Sequence, residues 1–464
     1  MGGAVGMRRA FSTTAARSML AVVGTAQCNH GPQPPPVRAN PNGRNAARLE
    51  RAASVRSLVR ILLVSTFYPP VALGGYEVEC AGVAERLAER HEVLVLTSSE
   101  GSARAESDPR VRRELTLLSA DSRGAVRAPA AALRATGAAR RALDWKPDLI
   151  YAWNCSSIPQ ASVRVLADSR VPLAFRVCEH WFGGLFKNDQ FLRELLPTRR
   201  RAARRPWAAG CRAVNRLPAL RLDPLAPVRA AISWNSETLE RMVPTPQFVE
   251  PVLERVGHSV PRYGDLYEQV SRAPAAEPEI VFLGRVTPYK GLGVAIEALA
   301  MLRAGARPSA RLVVIGPEDP AYGAEMRSLA ERLGVGTAIS WLGQRTPEQS
   351  AAALAAAHAL IVPSVWQEPF PLVTIEAALA RVPIVASDVG GIGEGMHDEE
   401  HALLFARGDA SAAAAALERV LGEPDATAAR VLRARERAED FRIGPYLDAQ
   451  EAFVLDAHAA LSAG

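Results

Sequence analysis

Two basic residues, Arg285 and Lys290, lie in a loop that follows a short apolar run and precedes a predicted helix. The N-terminal end of a helix carries a partial positive charge, which disfavours a nearby cation by a few tenths to about 1 kcal/mol. Two cations at this place therefore need an anion, and a diphosphate held between them and the backbone N–H groups of a helix start would supply one. Taken alone, the same two residues also fit a solvated basic loop, so the diphosphate hypothesis depends on further residues.

Two carboxylates, Glu368 and Glu376, lie on either side of the start of another predicted helix. Pro371 suits the first turn of that helix, because its missing N–H has no intrahelical partner to lose. Glu376 lies beside Leu372 on the apolar face, where a buried carboxylate costs several kcal/mol unless donors such as vicinal ribose hydroxyls satisfy it. Glu368 precedes the helix in a Pro-rich loop whose rigidity would direct it towards a sugar. The alternatives are a surface acid for Glu376 and a partner of the helix dipole for Glu368.

A third feature is the pair Gly74 and Gly75, in a loop between the first predicted strand and the first predicted helix. Without side chains, backbone N–H groups there can approach a phosphate or a sugar closely. The loop matches neither the dinucleotide-binding G-x-G-x-x-G pattern nor a Walker loop, so nicotinamide and ATP lose support. A glycosidase would explain the two carboxylates but not the two cations.

The elements that must position these residues alternate between strand and helix. A strand at 59–66 is followed by a helix with apolar residues on one face and by a second strand at 92–97, which predicts a βαβ unit and a parallel sheet. Further strands are predicted at 148–153, 172–178, 229–233, 280–283, 311–315, 339–342, 360–362 and 384–387. The class is therefore α/β, with two Rossmann-like, doubly wound parallel-sheet domains that face each other across a cleft.

Length and composition agree with two domains. The chain has 464 residues, a net charge of +6 and five scattered cysteines, and no apolar run approaches the ~20 residues of a membrane span. These features predict a cytoplasmic protein, and the basic residues are not interleaved with the stacking residues of a nucleic-acid binder. We expect five segments: a disordered or wrongly assigned extension at 1–58, which also fits a transit peptide, domains at 59–255 and 279–440, a linker at 256–278, and a final helix at 441–464.

Taken together, these stretches resemble the retaining family 4, or group 1, glycosyltransferases of the GT-B fold, from about residue 59 to the C-terminus. The likeness rests on four motifs in order: Tyr-Pro-Pro…Gly-Gly at 68–75, Gly-Arg…Lys-Gly at 284–291, Glu-x7-Glu at 368 and 376, and Gly-Gly-Ile-Gly-Glu at 390–394. The resemblance implies that Arg285 and Lys290 hold the diphosphate of a nucleoside diphosphate sugar. It also implies that Glu368 contacts the transferred sugar and that Glu376 binds ribose.

The same resemblance implies that main-chain amides around Phe370, Pro371 and Leu372 approach the sugar and phosphate, and that Gly74, Gly75 and Gly391 line the donor site. Transfer would proceed on one face of the sugar through an oxocarbenium-like state, with no metal and no cofactor beyond the nucleotide-sugar co-substrate. The final helix is expected to cross back onto the first domain.

One segment departs from the family pattern. Many members carry a His-Asp pair before an aromatic pair, and the His reaches the sugar; here the run is Cys178-Glu179-His180 ahead of Trp181 and Phe182. Aligned on the aromatic pair, Cys178 replaces the histidine. Glu179 and His180 become the candidates for contact with the acceptor or the sugar, and a structural loop histidine is the alternative.

The resemblance implies transfer of a hexose-type sugar from a UDP- or GDP-sugar to an acceptor hydroxyl, in polysaccharide, glycolipid or glycoconjugate synthesis. The acceptor is a sugar, a lipid-linked molecule or a small molecule. A basic cluster predicts peripheral contact with an anionic membrane at its inner face, with a solvated helix face as the alternative; its members are Arg199, Arg200, Arg201, Arg204 and Arg205. A sugar-nucleotide epimerase, a phosphorylase on the same fold and a non-catalytic sugar-nucleotide-binding subunit remain the competing hypotheses.

Overall fold

Short runs of Val, Ile and Leu form buried parallel strands, as expected where helices cover both faces of a sheet. A computed structural model describes residues 58–71, 74–101, 108–118, 127–185 and 227–463. The first sheet has the order β3-β2-β1-β4-β5-β6-β7, and all of its neighbouring strands are parallel. Its strands are β1 Arg60–Val64, β2 Glu92–Ser98, β3 Val111–Leu115, β4 Leu149–Ala152, β5 Leu173–Val177, β6 Val228–Trp234 and β7 Val249–Val256.

The second sheet is also parallel and has the order β10-β9-β8-β11-β12-β13. Its strands are β8 Glu279–Leu283, β9 Arg311–Ile315, β10 Ile339–Gly343, β11 Ala359–Val362, β12 Ile384–Ser387 and β13 Leu403–Phe405. Apolar clusters lie on the faces of both sheets. The predicted α/β class with two Rossmann-like parallel-sheet domains is confirmed.

Thirteen α-helices connect and cover these strands in the described part of the chain. In the first half they are α1 Gly75–Ala88, α2 Arg127–Leu143, α3 Gln160–Ala167, α4 Glu237–Met242 and α5 Gly264–Gln269. In the second half they are α6 Leu292–Ala304, α7 Pro320–Arg332, α8 Pro347–Ala356, α9 Leu372–Leu379, α10 Ile392–Gly395, α11 Ala410–Gly422, α12 Pro424–Arg437 and α13 Ile443–Ser462. None of the helices described is both long enough and apolar enough to cross a bilayer.

Three edge strands were not predicted from the sequence: β3, β7 and the three-residue β13. β3 consists of Val-Arg-Arg-Glu-Leu, and β7 carries four charged or Pro residues among its eight, including Pro251. Edge strands tolerate charge and Pro because one side of the strand has no partner to bond. The segment predicted as a linker at 256–278 begins with the last residue of β7 and contains the short helix α5.

The last helix, α13, packs against the first sheet and joins the apolar core between the two sheets. Its Gln450 accepts a 2.7 Å hydrogen bond from the Tyr151 hydroxyl of β4. Its Tyr446 hydroxyl donates to Glu79 of α1, whose carboxylate also pairs with the fully buried Arg176 of β5 at 2.8 Å. A polar network inside the first domain thus fixes the end of the chain.

The predicted N-terminal extension at 1–58, apart from Leu58, and the predicted membrane-binding arginine cluster at 199–205 lie outside the described residues.

Candidate active site

The candidate residues of the second domain follow three adjacent strands. Arg285 and Lys290 come after β8, Glu368 comes after β11 and Gly391 comes after β12. These strands are neighbours in the sheet, in the order β8-β11-β12. Because all are parallel, their carboxyl ends lie at one edge, where ligands of doubly wound sheets bind.

Lys290 and Glu368 are in direct contact. The Nζ atom of Lys290 lies 2.7 Å from Oε1 of Glu368, and the Ser364 hydroxyl donates to the same oxygen. Glu368 is only 2% exposed. Burial opposes its ionisation, but the Lys290 ammonium and the hydrogen bonds from Lys290 and Ser364 outweigh burial and hold the pKa of Glu368 below its usual value.

Gly291 allows the Lys290 loop to approach the loop after β11. Its φ of 70° lies in the left-handed region, and a Cβ there would sit 1.9 Å from the carbonyl oxygen of Pro363. The N–H of Val365 also donates to the Tyr289 carbonyl at 2.9 Å. The short 3₁₀ turn Pro288–Lys290 is therefore attached to the segment that leads to Glu368.

The glycines after β12 contact the backbone of Glu368 and the side chain of Gln367. The N–H of Gly391 donates to the Glu368 carbonyl at 2.7 Å, and that of Gly390 donates to the side chain of Gln367 at 2.6 Å. Gly390 has a φ of 59°, and a Cβ there would lie 2.1 Å from the Glu368 carbonyl oxygen. Only glycine fits this contact without moving the backbone of Glu368.

Arg285 stands over the ring of Tyr289, with 5.5 Å between its guanidinium carbon and the ring centroid. Within the described ranges it makes no ion pair, unlike Lys290. A guanidinium without a carboxylate partner retains its donors for an anion.

Glu179 and His180 face this site from the first domain. His180 Nε2 lies 3.5 Å from the Gln367 carbonyl oxygen, and the His180 ring lies 5.6 Å from that of Trp366. Burial raises the pKa of Glu179, the charges of Arg285 and Lys290 act in the opposite direction, and Glu368 adds to the rise. The structure thus brings the predicted residues of both domains together across the cleft.

Cys178, at the position of the family histidine, turns away from this cleft. It is 6% exposed and belongs to the apolar core, where its Sγ lies 4.0 Å from Ser259 Oγ. Burial raises the pKa of its thiol, so it stays protonated at neutral pH. The departure from the family pattern therefore removes a side chain from the cleft.

The Gly74–Gly75 loop meets the start of α9. A Cβ on Gly75 would lie 2.8 Å from Cδ1 of Leu372, so the two helix starts are in contact across the cleft. The N–H of Gly74 already donates to Glu77 at 3.0 Å, an interaction that closes the first turn of α1. Pro371 is the N-cap of α9, one residue ahead of the first turn in which the sequence placed it, and its carbonyl accepts from Thr374.

Glu376 lies one turn into α9, and the Tyr267 hydroxyl of α5 hydrogen-bonds to it. Burial raises the pKa of Glu376 to about 7, against the lowering effect of Tyr267. The Phe370 ring, just ahead of α9, packs against His258 at 4.9 Å and Phe441 at 5.4 Å.

Sequence reasoning missed Ser364 and Tyr267. Ser364 is a polar residue two positions after the buried strand β11, and that position was the available signal. Tyr267 falls in the segment predicted as a linker, in a six-residue helix too short for apolar periodicity to reveal.

One group of residues among those described could hold a metal ion. The ligand atoms of His397, Glu400 and His401 lie within 4.8 Å of one another. The Nδ1 atom of His401, however, accepts the N–H of His397 at 3.1 Å, so its Nε2 carries the proton in the neutral ring. Arg433 and Arg437 add unfavourable positive charge nearby. This group is therefore poorly suited to a divalent cation.

Two family models match this chain. The model described as "Glycosyl transferases group 1" matches residues 265–438, and the model "Glycosyl transferase 4-like domain" matches residues 74–220. The first covers Arg285, Lys290, Glu368 and Glu376, and the second covers Glu179.

Curated relatives match over part of the chain. A D-inositol 3-phosphate glycosyltransferase of Gordonia bronchialis is 32% identical over 179 residues, which are 37% of this chain and 39% of the relative. A glycogen synthase of Mycobacterium tuberculosis is 33% identical over 168 residues, which are 36% of this chain and 40% of the relative. The matches thus span about two fifths of the length of these relatives.

Solved structures match over most of the chain. Sucrose-phosphate synthase of Thermosynechococcus elongatus has a TM-score of 0.64 at 21% identity and covers 86% of this chain and 99% of its own. Anabaena HepE, solved in complex with UDP-glucose, has a TM-score of 0.58 at 19% identity, with coverage of 86% and 99%. At these identities the likeness shows the fold, which is that of the GT-B glycosyltransferases.

Proposed function

Because this chain belongs to the group 1 glycosyltransferases, we propose that it transfers a hexose-type sugar from a nucleoside diphosphate sugar to an acceptor hydroxyl, with retention of configuration and without a metal ion. The observation that carries the proposal is the contact of Lys290 with Glu368 beside the unpaired Arg285. Two cations and one buried carboxylate at the carboxyl edge of a parallel sheet suit a diphosphate joined to a sugar.

The two cations stabilise the diphosphate as it leaves. Arg285 offers a planar fork of donors and Lys290 offers three N–H donors, of which Glu368 uses one. Charge that develops on the leaving oxygen is best stabilised by donors already held in place. The attachment of the Lys290 turn to the loop after β11 supports this role.

Glu368 faces the transferred sugar, and Glu376 binds the ribose. The low pKa of Glu368 keeps it ionised, so it can accept sugar hydroxyls and stabilise positive charge on the anomeric carbon. Glu376 also needs hydroxyl donors, because Tyr267 supplies only one hydrogen bond to a partly buried carboxylate. Main-chain amides at Phe370–Leu372, and the glycines at 74, 75 and 391, complete the donor site.

Glu179 and His180 receive the acceptor, since they approach Arg285, Lys290 and Gln367 from the opposite domain. We favour UDP-sugars over GDP-sugars, because the UDP and UDP-glucose complexes of Anabaena HepE belong to the same fold. The acceptor belongs to polysaccharide, glycolipid or glycoconjugate synthesis. Membrane contact through the arginines at 199–205 stays a prediction.

The test is thermal unfolding with a panel of UDP- and GDP-sugars. A donor at 100 times its dissociation constant stabilises the native state by about 2.7 kcal/mol. We expect one donor to raise the melting temperature of the wild type and of Glu400→Gln, which removes an exposed carboxylate outside the cleft, but not of Lys290→Ala or Glu376→Ala. Stabilisation by none of the panel would overturn the assignment.

Activity on the identified donor tests the finer points. Proton NMR of the product should show the anomeric configuration of the donor, and a chelator should leave the rate unchanged. Inversion of configuration, or loss of activity on chelation, would refute those parts of the proposal. Donor binding without transfer or hydrolysis would favour a non-catalytic subunit.

A further inference from the structure

Glu394 of the second domain binds the start of a helix in the first domain. Its carboxylate accepts hydrogen bonds from the backbone N–H groups of Glu237, at 2.9 Å, and Thr238, the first two residues of α4. His258 Nε2 lies 3.1 Å from Oε2 of the same carboxylate. One side chain thus joins α10, α4 and the segment after β7 across the interdomain cleft.

The electrostatics favour this contact. The first N–H groups of a helix have no intrahelical partner and carry partial positive charge, so a carboxylate binds them well. Burial disfavours the charge of Glu394, but hydrogen bonds from His258, Thr238 and Glu237 outweigh burial and lower its pKa to about 2. Glu394 therefore remains ionised at every pH at which the protein would be assayed.

The same segment supports Glu368. Gly390 and Gly391, just before α10, contact Glu368 through the 2.7 Å hydrogen bond from Gly391 and the close approach of Gly390. The Gly390 carbonyl, in turn, accepts the Thr238 hydroxyl at 3.5 Å. The N-terminus of α4 and the carboxylate expected to face the sugar therefore lie on opposite sides of one short loop.

The segment 390–395 also contacts α12 of its own domain. Arg437 of α12 donates to the carbonyls of Glu394, at 2.9 Å, and of Gly395, at 3.3 Å. The ring of Phe370, two residues after Glu368, packs on His258, which itself contacts Glu394. Movement of the first domain away from Glu394 would therefore remove support from both sides of Glu368.

We propose that Glu394 is a positioning residue that couples closure of the two domains to the placement of Glu368. It touches neither Lys290 nor Glu368 by side chain; it acts through Gly390 and Gly391. The coupling to catalysis rests on the proposed transfer function, whereas the contact between the domains does not.

Hydrogen–deuterium exchange tests the contact directly and needs no substrate. In the full-length wild type, a peptide that spans residues 235–242 should exchange slowly at the amides of Glu237 and Thr238. Glu394→Gln keeps the size of the side chain but loses its charge and one acceptor oxygen, so we expect at least tenfold faster exchange at these amides. Glu400→Gln removes a charge from the same loop region without touching α4 and should leave the peptide unchanged.

Kinetics test the coupling. If Glu394 positions Glu368, Glu394→Gln should lower kcat by tenfold or more and change donor affinity less than threefold, because the expected donor contacts lie mainly in the second domain. Glu394→Asp, which keeps the charge on a shorter side chain, should recover part of the rate.

Unchanged exchange in Glu394→Gln would overturn the proposal, whatever the substrate. Faster exchange with an unaltered kcat would retain the contact but overturn the coupling to Glu368. If no nucleotide sugar binds the wild type, the transfer function fails, and the exchange result still decides whether Glu394 joins the domains.

Discussion

The ammonium of Lys290 lies 2.7 Å from Oε1 of Glu368, so the cation expected to hold a phosphate and the acid expected to face a sugar are bonded to each other. An ammonium has three donors, and it can keep Glu368 while it binds a diphosphate oxygen. In the proposed donor complex, this contact would place the negative charge of Glu368 next to the bond between sugar and phosphate, where an oxocarbenium-like state would develop.

We expect substitutions of Lys290 and Glu368 to have non-additive effects on the free energy of unfolding. Lys290→Met leaves a carboxylate that is 2% exposed without its counter-charge. Breaking a fully buried pair costs about 3–5 kcal/mol, and because the Lys290 side chain is 21% exposed, we expect a loss at the lower end of this range. Adding Glu368→Gln removes the buried charge and should restore part of this loss. Urea unfolding of the wild type, both single variants and the double variant gives the coupling energy. Additive single effects would mean that the two side chains do not depend on each other.

The contact between Lys290 and Glu368 also predicts a loss of unfolding free energy at acid pH. The pKa of Glu368 is lower in the folded than in the unfolded protein, so its contribution is present above the unfolded value of 4.5 and is lost as the pH falls through the folded value. Below pH 4.5, wild type should therefore lose stability more steeply than Glu368→Gln. Parallel curves of unfolding free energy against pH would contradict the lowered pKa.

The raised pKa of Glu376 predicts that donor binding depends on pH. Its pKa of about 7 lies above the ordinary value, so near neutral pH a large fraction is protonated. If Glu376 binds the ribose as proposed, the ribose hydroxyls donate to its ionised form. The affinity for the donor should therefore rise as the pH increases from 6 to 8, by at most about tenfold per pH unit, and then level off. Calorimetry with a nucleoside diphosphate sugar measures this dependence.

Two variants serve as controls for Glu376. Glu376→Gln should bind the donor weakly at every pH in this range, which separates Glu376 from other groups such as His180. Tyr267→Phe removes the hydrogen bond that lowers the pKa of Glu376, so the midpoint should move to higher pH. A wild-type affinity that does not change between pH 6 and 8 would rule out this role for Glu376.

Charged residues in the loop after β8 and in the Pro-rich loop ahead of α9 were the most predictable part of the site. Arg285 lies two residues after β8, and Glu368 lies four residues before α9, so an apolar strand and a helix start identify their loops. Both loops lie at one edge of the parallel sheet. Glu394 was predicted only as part of a motif, because its contact with Thr238 depends on how the two domains meet, which local periodicity does not encode. The charged edge strand β3 was missed because its own sequence lacks the apolar alternation of a half-buried strand.

Gly390, just ahead of α10, and Gly393, within α10, form a matched pair for substitution. A Cβ at Gly390 would meet the Glu368 carbonyl at 2.1 Å in a left-handed backbone conformation, whereas a Cβ at Gly393 has nothing within 4 Å. Gly390→Ala should displace Glu368 and lower the transfer rate by about 100-fold, since a shift of about 1 Å can have that effect. Gly393→Ala, within α10, should retain the rate. Equal rates for both variants, measured at saturating donor, would show that the placement of Glu368 does not depend on this loop.

The network of Arg176, Glu79 and Tyr446 predicts how firmly α13 is held. Tyr446→Phe removes a hydrogen bond to the buried carboxylate of Glu79 and should cost about 1.5–3 kcal/mol. Arg176→Met leaves Glu79 buried without its counter-charge and should cost about 3–5 kcal/mol.

A control for this network lies on the same helix. Asp456 of α13 pairs with Arg255 of β7 at 2.7 Å, but both side chains are largely exposed, so Asp456→Asn should cost at most about 1 kcal/mol. Urea unfolding measures all three variants, and proteolysis under native conditions reports whether α13 is released first. If Tyr446→Phe costs no more than Asp456→Asn, the buried network does not hold the helix, and apolar contacts such as that of Phe453 with Tyr151 must do so.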